Sequence, residues 1–222
     1  MKTVDMTKGS PVKLLIQFAI PILIGNLFQQ IYTLADRIIV GRFVGDKAFS
    51  AIGATNALSM MFMSMCMGAA IVTYTGQNMG AGKQDRISLG VIVAIKISAV
   101  VSLILLIVFW AFGHPIMSIF VTNEEIISIA ASGIRITSLF LIALGGVQIL
   151  RYMLNGAGDS MYALINGVVE VIARVAFAVG LTAIPFIGMW GIWLTTGLTW
   201  TVTAIFALFR YKHGAWKEKT LV

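Results

Sequence analysis

The sequence predicts an all-α polytopic membrane protein, a bundle of six transmembrane helices. Three observations predict it. Of the 222 residues, 59% are hydrophobic and only 11% are charged, where an average soluble domain is about 25% charged. The apolar runs are long and continuous rather than short and alternating, which argues against a β-barrel. Twelve of the sixteen lysines and arginines lie between or beyond those runs, ten of them on one side, and basic residues at span ends mark the cytoplasmic side. A single domain over residues 1–222 is expected, because no polar linker long enough to separate domains interrupts the runs.

Taken in order, residues 1–13 are polar, and Ser10-Pro11 suits a helix start. Span one is predicted over 14–40. Pro21 and Gly25 lie inside it, and such a run, too long for a signal peptide, is read as a true span. Span two is predicted over 48–75, with Met60, Met61, Met63, Met65 and Met67 in eight residues. Flexible thioethers fill gaps between helices and also suit surfaces that take varied apolar ligands. Gly76–Lys83 superficially resembles a phosphate loop, but Gln84 stands where Ser or Thr would hold magnesium, so a tight turn is expected. Span three is predicted over 89–112, ended by His114-Pro115, with Lys96 snorkelling to the interface. After a connector with Glu124 and Glu125, span four is predicted over 126–150. It carries Arg135, and Gly145-Gly146 is expected to allow close helix approach. A loop centred on Asn155–Asp159 leads to span five, 161–184, where Asn166, Glu170 and Arg174 are spaced to share one face. Trp190 anchors the next turn. Span six is predicted over 191–209, followed by a basic tail.

Charge patterning sets the orientation. Six spans put both termini on one side. That side carries ten Lys and Arg, against two on the other, and four more lie inside the spans. Both termini are therefore expected in the cytoplasm, with the chain multi-pass in the cell's inner (plasma) membrane. The net charge of +7 belongs to this pattern and not to a nucleic-acid groove. Cys66 is the single cysteine, read as a packed side chain. His114 and His213 have no metal-ligand spacing. With no nucleophile–base pair or metal motif, an enzyme is not expected, and neither is a cofactor beyond a coupling ion.

The stretch Asn26–Gly45, NLFQQIYTLADRIIVGRFVG, is the candidate centre. At about 100° per residue, Asn26, Gln30, Thr33 and Arg37 fall on one side of a helix, flanked by Gln29 and Asp36. Turning Asp36 toward acyl chains would cost about 2.5 to 3.5 kcal/mol on insertion scales. An intramembrane carboxylate is thus a candidate functional site. On span five, Glu170 and Arg174 can pair at i,i+4, which serves helix packing or transport.

Several stretches resemble multidrug and toxic compound extrusion (MATE) transporters. They are Met6–Ser10, LADRIIVGRFVGDKAFSAIGATN, TYTGQNMGAGKQDR, NGAGDS and GMWGIWLTTGLTWTVTAIFALFRYKHGAWK. Residues to about 55 resemble the opening of that family's N-terminal lobe. Those from about 60 onward resemble the later portion of its C-terminal lobe. Family members carry two homologous six-helix lobes, so the chain resembles about one lobe. The resemblance implies export of amphipathic organic cations driven by protons or sodium, through alternating access between lobes. It implies a cation-coupling role for Asp36, which fits the family's D-x-x-x-x-G pattern ending at Gly41; Glu170 and Arg174 match a Glu and Arg pattern of its C-terminal lobe, and Glu170 is the second coupling candidate. Asn26, Gln29, Gln30, Thr33, Arg37, Asn166 and Arg174 would line the cavity.

A homodimer of lobes embedded in membrane lipid would then supply the two bundles that alternating access needs. A proton or sodium ion neutralising Asp36 would compete with the organic cation, giving exchange. Two other readings stand beside this one. The chain could be a non-transporting truncated lobe, or an assembly partner of a full-length transporter. A lipid-linked oligosaccharide flippase would call for a cationic cavity lined by Arg37, Arg135 and Arg174.

Overall fold

The computed structural model describes residues 46–65, 68–182, 184–214 and 216, together with Ile16, Ile20, Leu23, Ile24 and Leu27, which are helical. From residue 46 onward the described elements are seven α-helices and a short 3-10 turn. They are α1 (Asp46–Met65), α2 (Gly68–Gly80), α3 (Gln84–Met117), α4 (Glu124–Ser138), α5 (Leu141–Gly156), α6 (Ser160–Thr182), the turn Gly188–Trp190, and α7 (Gly191–His213). Among the described residues every regular element is helical, as the long apolar runs require.

Several boundaries differ from those predicted, each for a local reason. The stretch expected as one span over 48–75 comprises α1, to Met65, and α2, from Gly68, with residues 66 and 67 outside the described residues, and α2 runs on to Gly80. The tight turn shrinks to residues 81–83, with Gly82 supplying a φ of 67°. Pro115 does not end the third helix, which continues to Met117. Proline removes the bond to the carbonyl four residues back and crowds it. The distortion appears upstream instead, at Phe112 (φ −119°, ψ 17°).

The fourth predicted span is a bent pair, α4 and α5, turning by 58°. Its two ends are set differently. Asn123 caps α4, its Oδ1 accepting from the backbone N–H of Glu125 at 3.0 Å and Ile126 at 3.2 Å. Glu124 and Glu125 in the first turn suit the positive end of the helix dipole. At the far end the Thr137 hydroxyl bonds the Gly133 and Ile134 carbonyls, and the Ser138 hydroxyl bonds that of Arg135. Such back-bonding competes with helix continuation, and α4 stops at Ser138.

Helix α5 is the hub. It packs against α1, α2, α3, α6 and α7, and ten of its 16 residues are buried. Helix α3 is the opposite case, with seven of 34 residues buried. Its outer face shows Val100, Leu103, Ile104 and Ile107, more than half exposed. Ile172 and Val179 on α6 and Ile205 and Phe209 on α7 do the same. A helix apolar on its exposed side is built to face acyl chains. Three described runs are long and apolar enough to cross a bilayer: α3, Leu164–Leu181 and Gly188–His213. The α4–α5 pair makes a fourth if it is one span.

Lipid tails are as apolar as leucine, so close packing and buried hydrogen bonds hold such helices together. Of the pair Gly145-Gly146, where close approach was predicted, Gly145 is buried and Gly146 is not the point of contact. A Cβ on Gly146 would meet nothing within 4 Å, whereas one on Gly156 would come within 2.7 Å of the Val72 carbonyl on α2. Gly133 likewise makes room for the Trp193 indole, 2.3 Å from where its Cβ would stand. The indole N–H donates to the Thr55 hydroxyl at 3.3 Å, joining α7 to α1.

Candidate substrate and coupling-ion site

Helix α6 runs from Ser160 to Thr182 without a proline, which first appears at Pro185. Tyr162, Asn166, Glu170 and Arg174 recur every four residues and so form one stripe. All four are buried, between 0% and 7% exposed. The helix thus turns its ionisable side inward and its aliphatic side outward. This is the arrangement that a charged residue in a membrane span requires.

Contacts to α7 fix the register. Arg174 Nη2 donates to Thr196 Oγ1 at 3.1 Å. Tyr162 and Phe206 stack, with centroids 6.1 Å apart. Asp159, just before α6, accepts two bonds from Arg210, at 2.9 Å from Nε and 3.2 Å from Nη2. The pairs run in opposite directions along the two helices, so α6 and α7 are antiparallel. Interpolating between them puts Glu170 level with Thr199 and Asn166 level with Thr203, and both threonines are buried.

The interior of this hairpin is rich in polar atoms. The Tyr162 hydroxyl donates to Asn166 Oδ1 at 3.1 Å. Arg151 on α5, 7% exposed, Glu170 and Asp159 all act electrostatically on Tyr162. Asn166 Nδ2, Thr195 Oγ1 and Thr199 Oγ1 are buried with no hydrogen-bond partner among the described residues. A buried polar atom without a partner is costly, most of all in hydrocarbon. Together these groups offer an acid, hydroxyls and an amide that can exchange partners with an ion, water or a cationic ligand.

Asn166, Glu170 and Arg174 therefore come together as one buried face. Asn26, Gln29, Gln30, Thr33, Asp36 and Arg37 lie outside the described residues, as does Cys66. Arg135 is on α4, half-buried, its Nε atom without a hydrogen-bond partner among the described residues, apart from the α6 stripe in sequence. Sequence reasoning missed Tyr162, although it stands one further four-residue step before Asn166. It also read Asp159 as loop and Arg210 as the start of a basic tail. Arg210 is in the last turn of α7, and its partner carboxylate is only 2% exposed.

Long helices with aliphatic outer faces and ionisable inner ones define a polytopic helical membrane protein. The MatE family model matches residues 21–180, more than half of the chain, and the chain belongs to that family. Among curated relatives, the Bacillus subtilis (strain 168) probable multidrug resistance protein YpnP is 26% identical over 215 residues, covering 94% of this chain and 47% of its own length. The probable multidrug resistance protein YoeA of the same organism is 22% identical over 211 residues, covering 94% and 45%. A crystal structure of MATE in the bent conformation superposes with a TM-score of 0.84 at 19% identity, over 99% of this chain and 50% of the other. The chain thus spans about half the length of the curated relatives it matches.

Proposed function

We propose that this chain is one bundle of a cation-coupled exporter of amphipathic organic cations, driven by protons or sodium, and that it works as a homodimer. The observation that carries the reading is the buried Tyr162–Asn166–Glu170–Arg174 stripe set against hydroxyls of α7. A carboxylate in such a place serves as the exchangeable partner of a coupling ion and a cationic substrate. Membership of the family supports transport over catalysis. The half-length match supports pairing with a second bundle, since alternating access needs two bodies that move about a shared site. Glu170 is assigned to cation coupling, and Asn166 and Arg174 to the cavity wall. Asp36 is assigned to coupling from the sequence, with Asn26, Gln29, Gln30, Thr33 and Arg37 around it. The ten-to-two distribution of basic residues supports cytoplasmic termini in the cell's inner (plasma) membrane.

The test is reconstitution into proteoliposomes with an ethidium-type cation and an imposed proton or sodium gradient, with the mass in lipid measured in parallel. Gradient-dependent export by a dimer is expected. The half-length match also favours a second reading, a lobe that assembles with a full-length transporter or does not itself transport. A strictly monomeric protein without ion-dependent substrate binding would select it.

A further inference from the structure

We propose that the outer face of α3 binds an anionic phospholipid, with the Lys96 ammonium on its phosphate. Lys96 is exposed, a little over a third of the way along α3, which buries only seven of its 34 residues. Leu89, Val93, Val100 and Leu103 share its side of α3, each between 53% and 61% exposed. Among the described residues Lys96 has no ion-pair or hydrogen-bond partner. No acidic residue stands between Asp85 and Glu124 in the sequence. Asp85 lies on the same side of α3 but 11 residues away, about 16 Å along the axis.

Aromatic side chains mark the depth. The Tyr74 hydroxyl donates to the Arg86 carbonyl at 2.7 Å. Its ring lies on Gly90, where a Cβ would come within 2.3 Å of a ring carbon. A tyrosine whose polar tip sits beside exposed Lys83 and Arg86 marks headgroup level. Trp110, 52% exposed, stands near the other end. Arg86 to Trp110 is about 36 Å of helix, enough for a hydrocarbon layer of about 30 Å. Lys96 then lies about 15 Å in from Arg86, close to the bilayer centre.

Side chains tilt toward the N-terminus of their helix, here the Arg86 end, and a lysine stem reaches about one turn, roughly 5 Å. The ammonium thus comes level with Ile92, still about 9 Å short of Arg86. A charge at that depth is tolerated when the bilayer thins and a headgroup moves in. Apart from half-buried Ala99, the described neighbours on the Lys96 side are long and aliphatic, which fits acyl chains rather than the close approach of another helix. Lys83 and Arg86 add positive charge on the headgroup's path. A free anion would find no such apolar surround to its advantage.

The experiment is native mass spectrometry of the whole chain released from nanodiscs holding equal phosphatidylglycerol and phosphatidylcholine. Wild type is expected to retain phosphatidylglycerol at least fivefold over phosphatidylcholine, and excess inorganic phosphate is expected not to displace it. Lys96→Arg should keep the preference. Lys96→Met should lose most of it while eluting as the same monodisperse species, and Lys96→Gln serves if Lys96→Met fails to fold. Equal retention of the two lipids by wild type would overturn the proposal. So would an unchanged preference in the neutral variants, displacement by phosphate, or a lipid-independent dimer in which Lys96 is shielded from acetylation.

Discussion

Replacing Arg210 by Met tests whether the α6–α7 hairpin owes its register to one ion pair. Two charge-assisted bonds from Arg210 reach Asp159, whose side chain is 2% exposed, while that of Arg210 is 34% exposed. Removing one partner of a fully buried pair costs about 3 to 5 kcal/mol. Water can reach the guanidinium side, so the figure is reduced to about 2 kcal/mol, roughly thirtyfold in the unfolding constant. The assay is equilibrium unfolding in mixed micelles, run as a cycle with Asp159→Asn and the double variant. Lys212→Met, an exposed neighbour in the same turn, should stay within about 0.5 kcal/mol. Arg210→Met within that same range, or single variants that add without coupling, would show that stacking of Tyr162 on Phe206 sets the register instead.

Gly156→Ala should destabilise by about 1 to 3 kcal/mol, because its methyl would meet the α2 backbone. Gly146→Ala should be neutral or slightly stabilising, since its methyl meets nothing; thermal unfolding of both variants in one detergent reads the difference. Trp193→Phe removes the bond to Thr55 and should cost about 1 kcal/mol or more. Thr55→Val in that background should cost less than it does alone, which a double-mutant cycle measures.

The fold class was legible because hydropathy in lipid is nearly a structural rule. Each span must satisfy its own backbone, so long apolar runs can only be helices. The α6 stripe was legible for a related reason: the four-residue spacing of Asn166, Glu170 and Arg174 does not depend on any other helix. What failed to show was whatever two distant segments decide together. Asp159 and Arg210 are 51 residues apart, and each looked like a polar end of its own element. Gly146 and Gly156 are alike in sequence, and only the position of α2 makes one of them essential. The bend between α4 and α5 needed the hydroxyls of Thr137 and Ser138 to be seen on their carbonyls.

The most direct measurement concerns Glu170. Affinity for a fluorescent organic cation would be followed in nanodiscs as proton and sodium concentrations are varied, for wild type and Glu170→Gln. The proposed mechanism requires the wild type to bind the cation less tightly as the coupling ion rises, and the folded variant to lose that dependence. An identical ion dependence in both proteins would remove this carboxylate from coupling, and the buried stripe would then be a packing feature alone.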